Sequence, residues 1–179
     1  MTTINLTKLT TFISINNIEN IIKESGSFDN LKNIVKESGI EVREIEDEEL
    51  SNLYLLVTDK NVDKNALTPL QMECNGIILE KNTNKIVCMC QNKFTDIVQH
   101  EGQVSQIEDL KRHYSKFRME YCEDGTVIRL YNYNNNWYTA TTRCIDATKS
   151  YWSSEKTFND MFWEIFNTCK LYIFIYFNS

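Results

Sequence analysis

The sequence predicts an α+β fold: an antiparallel β-sheet of hairpins with helices packed against it. Residues 17–38 repeat apolar side chains at helical spacing, whereas residues 40–57 and 75–90 alternate or run apolar in strand-length stretches between turn residues. Residues 117–143 read as three strands joined by two tight turns. With 179 residues, 42% of them hydrophobic and 12% aromatic, the chain can bury a sizeable core, and one domain over 1–179 is expected.

The first helix, 17–25, places Ile18, Ile21 and Ile22 on one face; the second, 27–38, does so with Phe28, Leu31, Ile34 and Val35. Both end in Lys-Glu-Ser-Gly, which sets Gly26 and Gly39 where a left-handed cap belongs. Together they form a small helical N-terminal part, 1–39; two copies are too few for a solenoid. Ile40 to Arg43 alternates as a strand, the acidic run Glu46 to Glu49 is a solvated turn, and Leu53 to Val57 is a buried strand. A loop from Thr58 to Thr68 leads to the single proline, Pro69.

A hairpin follows, with Asn75 to Glu80 returning through Lys81–Asn84 to Lys85–Cys90. A helix through Ile107, Leu110 and Tyr114 leads to the central strands. The first, Phe117 to Cys122, turns at Glu123-Asp124-Gly125 into a second from Thr126, and an Asn-rich turn leads to a third entered through Trp137 and Tyr138. The last helix, Phe158 to Phe166, is preceded by capping oxygens in Ser153–Lys156. The run Leu171 to Phe177 is far shorter than the roughly 20 residues that span a bilayer. Ile77, Ile86, Met119, Ile128 and Phe162 are expected in the core.

A net charge of −6 and a pI near 5.0 exclude a broad basic surface, so any contact with nucleic acid is local. The start, Met-Thr-Thr-Ile-Asn-Leu-Thr-Lys, lacks the pattern of a signal peptide, and the expectation is a reducing, cytoplasmic location with all six cysteines as thiols and no membrane contact. Cys88 and Cys90 fall on one strand face but lack the second pair that zinc requires, so no metal site is expected. His100 and His113 stand in no triad-like arrangement. Tyr131, Tyr133, Trp137 and Tyr138, interleaved with Arg129 and Arg143, fit two roles: a platform for single-stranded bases, or cross-strand packing.

Cys122-Glu-Asp-Gly followed by Thr-Val-Ile-Arg resembles the Lys-x-Asp-Gly element of covalent nucleotidyltransferases, the ATP-dependent RNA and DNA ligases and capping enzymes. Thr141-Thr142-Arg143 is similar to the Thr-Arg-Gly stretch of RNA ligases, with Cys144 in place of glycine. Asn75-Gly76-Ile77-Ile78 and Asn92-Lys93-Phe94 resemble an Arg-Gly-Ile strand and a Lys-Phe pair upstream. The resemblance covers about residues 67–177 and implies part of a nucleotidyltransferase domain, with ATP and Mg2+ as cofactors and RNA ends as substrate if activity persists. It assigns Cys122 to the catalytic position, Lys93, Asp124 and Gly125 to the nucleotide site, and Arg143 to the phosphate.

Several departures imply impaired transfer. A cysteine replaces the lysine amine amid Glu120, Glu123 and Asp124, whose charges disfavour a thiolate, Asn75 replaces a guanidinium, and the family's later lysines have no counterpart before Ser179. A protein partner supplying those lysines is one expectation. The alternative is a non-catalytic nucleotide- or nucleic-acid-binding or structural protein, of viral type, on the same scaffold.

Overall fold

The computed structural model describes residues 16–63, 66–90, 111–112, 115, 125–153 and 155–169. Helices α1 (Asn16–Ser25) and α2 (Phe28–Glu37) form the expected hairpin. Ser27 caps α2 by accepting from the Asn30 amide, and Gly26 and Gly39 take positive φ angles of 66° and 72°.

Strands β1 (Ile40–Glu44) and β2 (Leu53–Thr58) are followed by helix α3 (Pro69–Glu73), then β3 (Asn75–Glu80) and β4 (Ile86–Cys88). The four strands pair antiparallel in chain order. Helix α3, which begins at Pro69 after the expected loop, is an element the sequence reading did not include. Thr68 and Gln71 cap each other reciprocally, and proline is tolerated at the start because its missing N–H would have had no helical partner there.

Every residue of β2 is buried, and its period of two sends side chains to two different cores. Tyr54 and Leu56 join Ile18, Leu31, Val35, Ile77 and Leu79 under the helices, with Phe28 and Tyr54 rings 4.6 Å apart. Leu53 and Leu55 face the other way, against Ile78, Tyr131, Ala140 and Ile145. Each fully buried aliphatic side chain of this kind contributes about 1.5–3 kcal/mol.

The second core is closed by β5 (Arg129–Tyr133) and β6 (Asn136–Ala140), joined through Asn134 and Asn135, both at positive φ. Among the described residues this hairpin pairs as a two-stranded sheet of its own, lying over the four-stranded one, within the expected α+β architecture. A central strand that is apolar on both faces needs a second layer, and the hairpin supplies it. A short 3-10 turn (Ala147–Lys149) and helix α4 (Phe158–Cys169) follow. The start of α4 is capped by Thr157 and Asp160, whose side chains accept from each other's amides, rather than by Ser153–Lys156.

Of the expected core residues, Ile77 is fully buried, while Ile86, Ile128 and Phe162 are half-buried and Met119 lies outside the described residues. The strand Phe117–Cys122, the helix at Ile107, Leu110 and Tyr114, and the run Leu171–Phe177 also fall mainly or wholly outside them. Among the described residues no helix is long and apolar enough to cross a membrane.

An ionic cluster ties α2 to the sheet. Glu44 bridges Lys32 at 2.6 Å and Lys81 at 2.8 Å, and both ammonium groups lie over the Phe28 ring. Hydrogen bonds from Lys32 and then Lys81 hold the Glu44 carboxyl at about 2, below its ordinary value. A carboxyl pKa depressed by folding adds stability that is complete above the unfolded value and vanishes as pH falls through the folded one. Because the Glu44 side chain is 40% exposed, screening limits the contribution to about 0.5–1 kcal/mol. Glu44→Gln is therefore expected to lower the urea midpoint at neutral pH and to match the parent near pH 2. An equal deficit at both pH values would refute this.

Candidate functional site

Beyond Ala140 the chain reverses at Thr141-Thr142-Arg143-Cys144. The Thr141 amide donates to the Cys144 carbonyl at 3.2 Å, and the Arg143 amide donates to Thr141 Oγ1 at 3.2 Å. Cys144 Sγ lies 3.1 Å from both Thr141 Oγ1 and Ser150 Oγ, which ties this turn to the segment after the 3-10 turn. Asp146 caps that 3-10 turn through the Thr148 amide at 2.9 Å, and Lys149 at its end is exposed.

Between these segments opens a cleft of about 550 Å³, with Thr126, Thr142, Arg143, Lys149, Tyr151 and Trp152 among its walls. Among the described residues no carboxylate lines it. Arg143 is exposed; its Nη1 donates to Thr58 O at 3.2 Å, and its own carbonyl accepts from Arg43 Nη1 at 2.9 Å. Tyr151 and Trp152 are 66% and 77% exposed.

The cleft turn is fixed from behind by two contacts. Gly76 has φ +108°, and a Cβ there would stand 2.7 Å from the Thr142 carbonyl oxygen and 2.9 Å from its Cα. Only glycine lets the two backbones meet this closely. Arg129, 9% exposed, donates to the carbonyls of Gly76, Thr141 (2.5 Å) and Met89 (3.4 Å), so one guanidinium joins β3, the chain beyond β4 and the cleft turn. Its Nε is buried without a hydrogen-bond partner.

Two of the expected site residues belong to this region. Arg143 lines the cleft, and exposed Gly125 immediately precedes Thr126 on its wall. Cys122, Asp124 and Lys93 lie outside the described residues.

The aromatic alternatives resolve in part. Tyr131 and Tyr138 are cross-strand partners with stacked rings 5.6 Å apart, and the Tyr131 hydroxyl donates to the Ile145 carbonyl at 3.0 Å. That pair packs the core, and Arg129 is buried rather than a surface cation. Trp137 remains exposed, while the half-buried Tyr133 hydroxyl donates to Glu80 Oε1 at 3.1 Å.

Cys88 and Cys90 are both buried, although β4 ends at Cys88. Burial raises the Cys88 thiol pKa, opposed by the nearby Arg129 charge; burial pushes Cys74 up to about 12, with a smaller contribution from Glu73. Neither is an activated nucleophile. Cys74, Cys88, Cys90 and Cys144 are thiols and not disulfide partners. Among the described residues no cluster of three or more His, Cys, Asp or Glu side chains could hold a metal ion.

The sequence reading did not single out Lys149, Tyr151 and Trp152. Their signal was a lysine beside two aromatics in a segment with no amphipathic period to bury them. Comparison with known proteins gave no match: no family model, no curated protein and no solved structure corresponds to this chain.

Proposed function

We propose that the chain is a divergent RNA-ligase-like protein of nucleotidyltransferase type, impaired in covalent nucleotide transfer and retaining a cleft for noncovalent binding of a phosphate-bearing ligand. The observation that carries this reading is the backbone contact of Gly76 with Thr142. It brings together Asn75-Gly76 and Thr141-Thr142-Arg143, two of the stretches on which the resemblance rests, although they lie far apart in the chain.

The donor set suits phosphate. Arg143 and Lys149 supply positive charge and the threonines supply hydroxyls. Mg2+ is usually held through one or two carboxylates as well as phosphates, and among the described residues no carboxylate lines the cleft. Covalent transfer further requires a nucleophile aimed at the α-phosphate and several cations to stabilise the developing charge. Cys122 replaces the amine, Asn75 replaces a guanidinium, and Glu120, Glu123 and Asp124 surround the thiol in sequence.

Incubation with ATP labelled at the α-phosphate, followed by a denaturing gel, is expected to give no labelled band with the wild-type chain. Cys122→Lys is expected to remain inefficient in ligation. A stable wild-type adenylate lost in Cys122→Ser would overturn the reading in favour of thiolate catalysis. One that survives Cys122→Ser but disappears in Lys93→Ala would overturn it in favour of a relocated lysine.

A further inference from the structure

We infer that the cleft takes a single-stranded polynucleotide, with a phosphate held by Arg143 and Lys149 and the adjoining base laid on Trp152 and Tyr151. This deepens the reading above and rests on it in treating the cleft as the retained ligand site.

The first support is a contrast of charge. In a chain of net charge −6, the described residues of the cleft walls include two cations and no carboxylate. Clefts of one sign concentrate ligands of the other, and a phosphodiester is the anion that also offers a flat ring within reach. Arg143 spends one Nη1 bond on the Thr58 carbonyl, which leaves its remaining N–H groups for phosphate. Glu41, the acid that feels the Arg143 charge, is itself paired with Arg43 at 2.8 Å.

The second support is the pair of exposed aromatics. Trp152 and Tyr151 present large apolar faces to water beside those cations. Aromatic side chains next to a cationic groove are what single strands require, because every base has a π-face and stacking tolerates any sequence. The hydroxyls of Thr126 and Thr142 make no hydrogen bond among the described residues and can serve the sugar-phosphate chain.

A duplex hides its base faces and is held mainly through phosphates over a broad basic surface, which this acidic chain does not provide. The open cleft, with its aromatics at the rim, therefore selects for unpaired strand.

Fluorescence anisotropy with an end-labelled uridylate oligomer tests this, with its duplex and ATP as competitors. The wild-type chain is expected to bind the single strand at low salt, with the duplex and ATP at least about tenfold weaker. Joint Arg143→Ala and Lys149→Ala substitution should weaken binding about tenfold and flatten the plot of log affinity against log salt by about 1.4, since each lost phosphate contact on a single strand removes about 0.7. Trp152→Ala, and separately Tyr151→Ala, should weaken binding several-fold to about tenfold with the salt slope unchanged. A change confined to folding would not separate affinity from slope in this way, and all four side chains are exposed.

The inference is overturned if the wild-type chain does not bind the strand, if duplex binds equally well, or if the variants bind like the parent. ATP binding without strand binding would overturn it while leaving the proposed loss of transfer intact. A labelled covalent band would do the reverse.

Discussion

Gly76→Ala is expected to destabilise the fold by about 3 kcal/mol or more and to weaken ligand binding in the cleft. A side chain at φ +108° is strained by about 1–3 kcal/mol before any contact is counted. The new methyl group would also stand 2.7 Å from the Thr142 carbonyl oxygen, a backbone atom that cannot rotate aside. Relief requires moving the turn that carries Arg143, yet Arg129 fixes that turn through the Thr141 carbonyl. Urea unfolding measures the loss. A variant within about 0.5 kcal/mol of the parent would show that the close approach has no energetic weight.

Glu73→Ala is expected to cost about 3 kcal/mol and to release α1. Glu73 is 2% exposed and lies on α3, yet its carboxylate accepts from the Ile18 amide at 3.0 Å, the Asn17 side chain at 2.7 Å and the Asn17 amide at 3.4 Å. It thus satisfies the open amides at the start of α1 from a distant part of the chain and places negative charge at the positive end of the helix. Truncation strands the buried Ile18 amide, at about 1–3 kcal/mol for a group left unsatisfied, and also removes the helix-end charge and the two Asn17 bonds. Glu73→Gln keeps an acceptor and should cost less. Amide hydrogen exchange in α1 together with urea unfolding decides the matter; unchanged protection at Asn17 and Ile18 in the alanine variant would sink the idea.

Local chemistry made much of the fold legible. Gly26, Gly39 and the Asn134-Asn135 turn each adopt the backbone that their residue types favour, and the unbroken apolar run of β2 signals a strand covered on both sides. Helix α3 was missed because five residues carry too little period, although Thr68 and Gln71 spell its cap. The separation into two sheets depends on which layer closes the Leu53–Leu55 face, a tertiary choice that no local pattern encodes.

Of the described cleft residues, Arg143 was legible through the Thr141-Thr142-Arg143 stretch. Lys149, Tyr151 and Trp152 reach the same cleft through the fold, and the Gly76–Thr142 approach leaves no trace in sequence beyond a glycine. The role of Arg129 stayed open between base platform and packed sheet, because an alternating strand does not reveal that a charged side chain can be satisfied by backbone carbonyls.

The Arg129 joint has a property that the outer ionic cluster lacks. A guanidinium stays protonated throughout the range in which proteins survive, and its partners here are carbonyl oxygens, which do not titrate. Burial also keeps it from the counterions that screen Lys32, Glu44 and Lys81. The fold therefore has one fastening that acid and salt can loosen, between α2 and the first sheet, and another indifferent to both, between that sheet and the turn that presents Arg143.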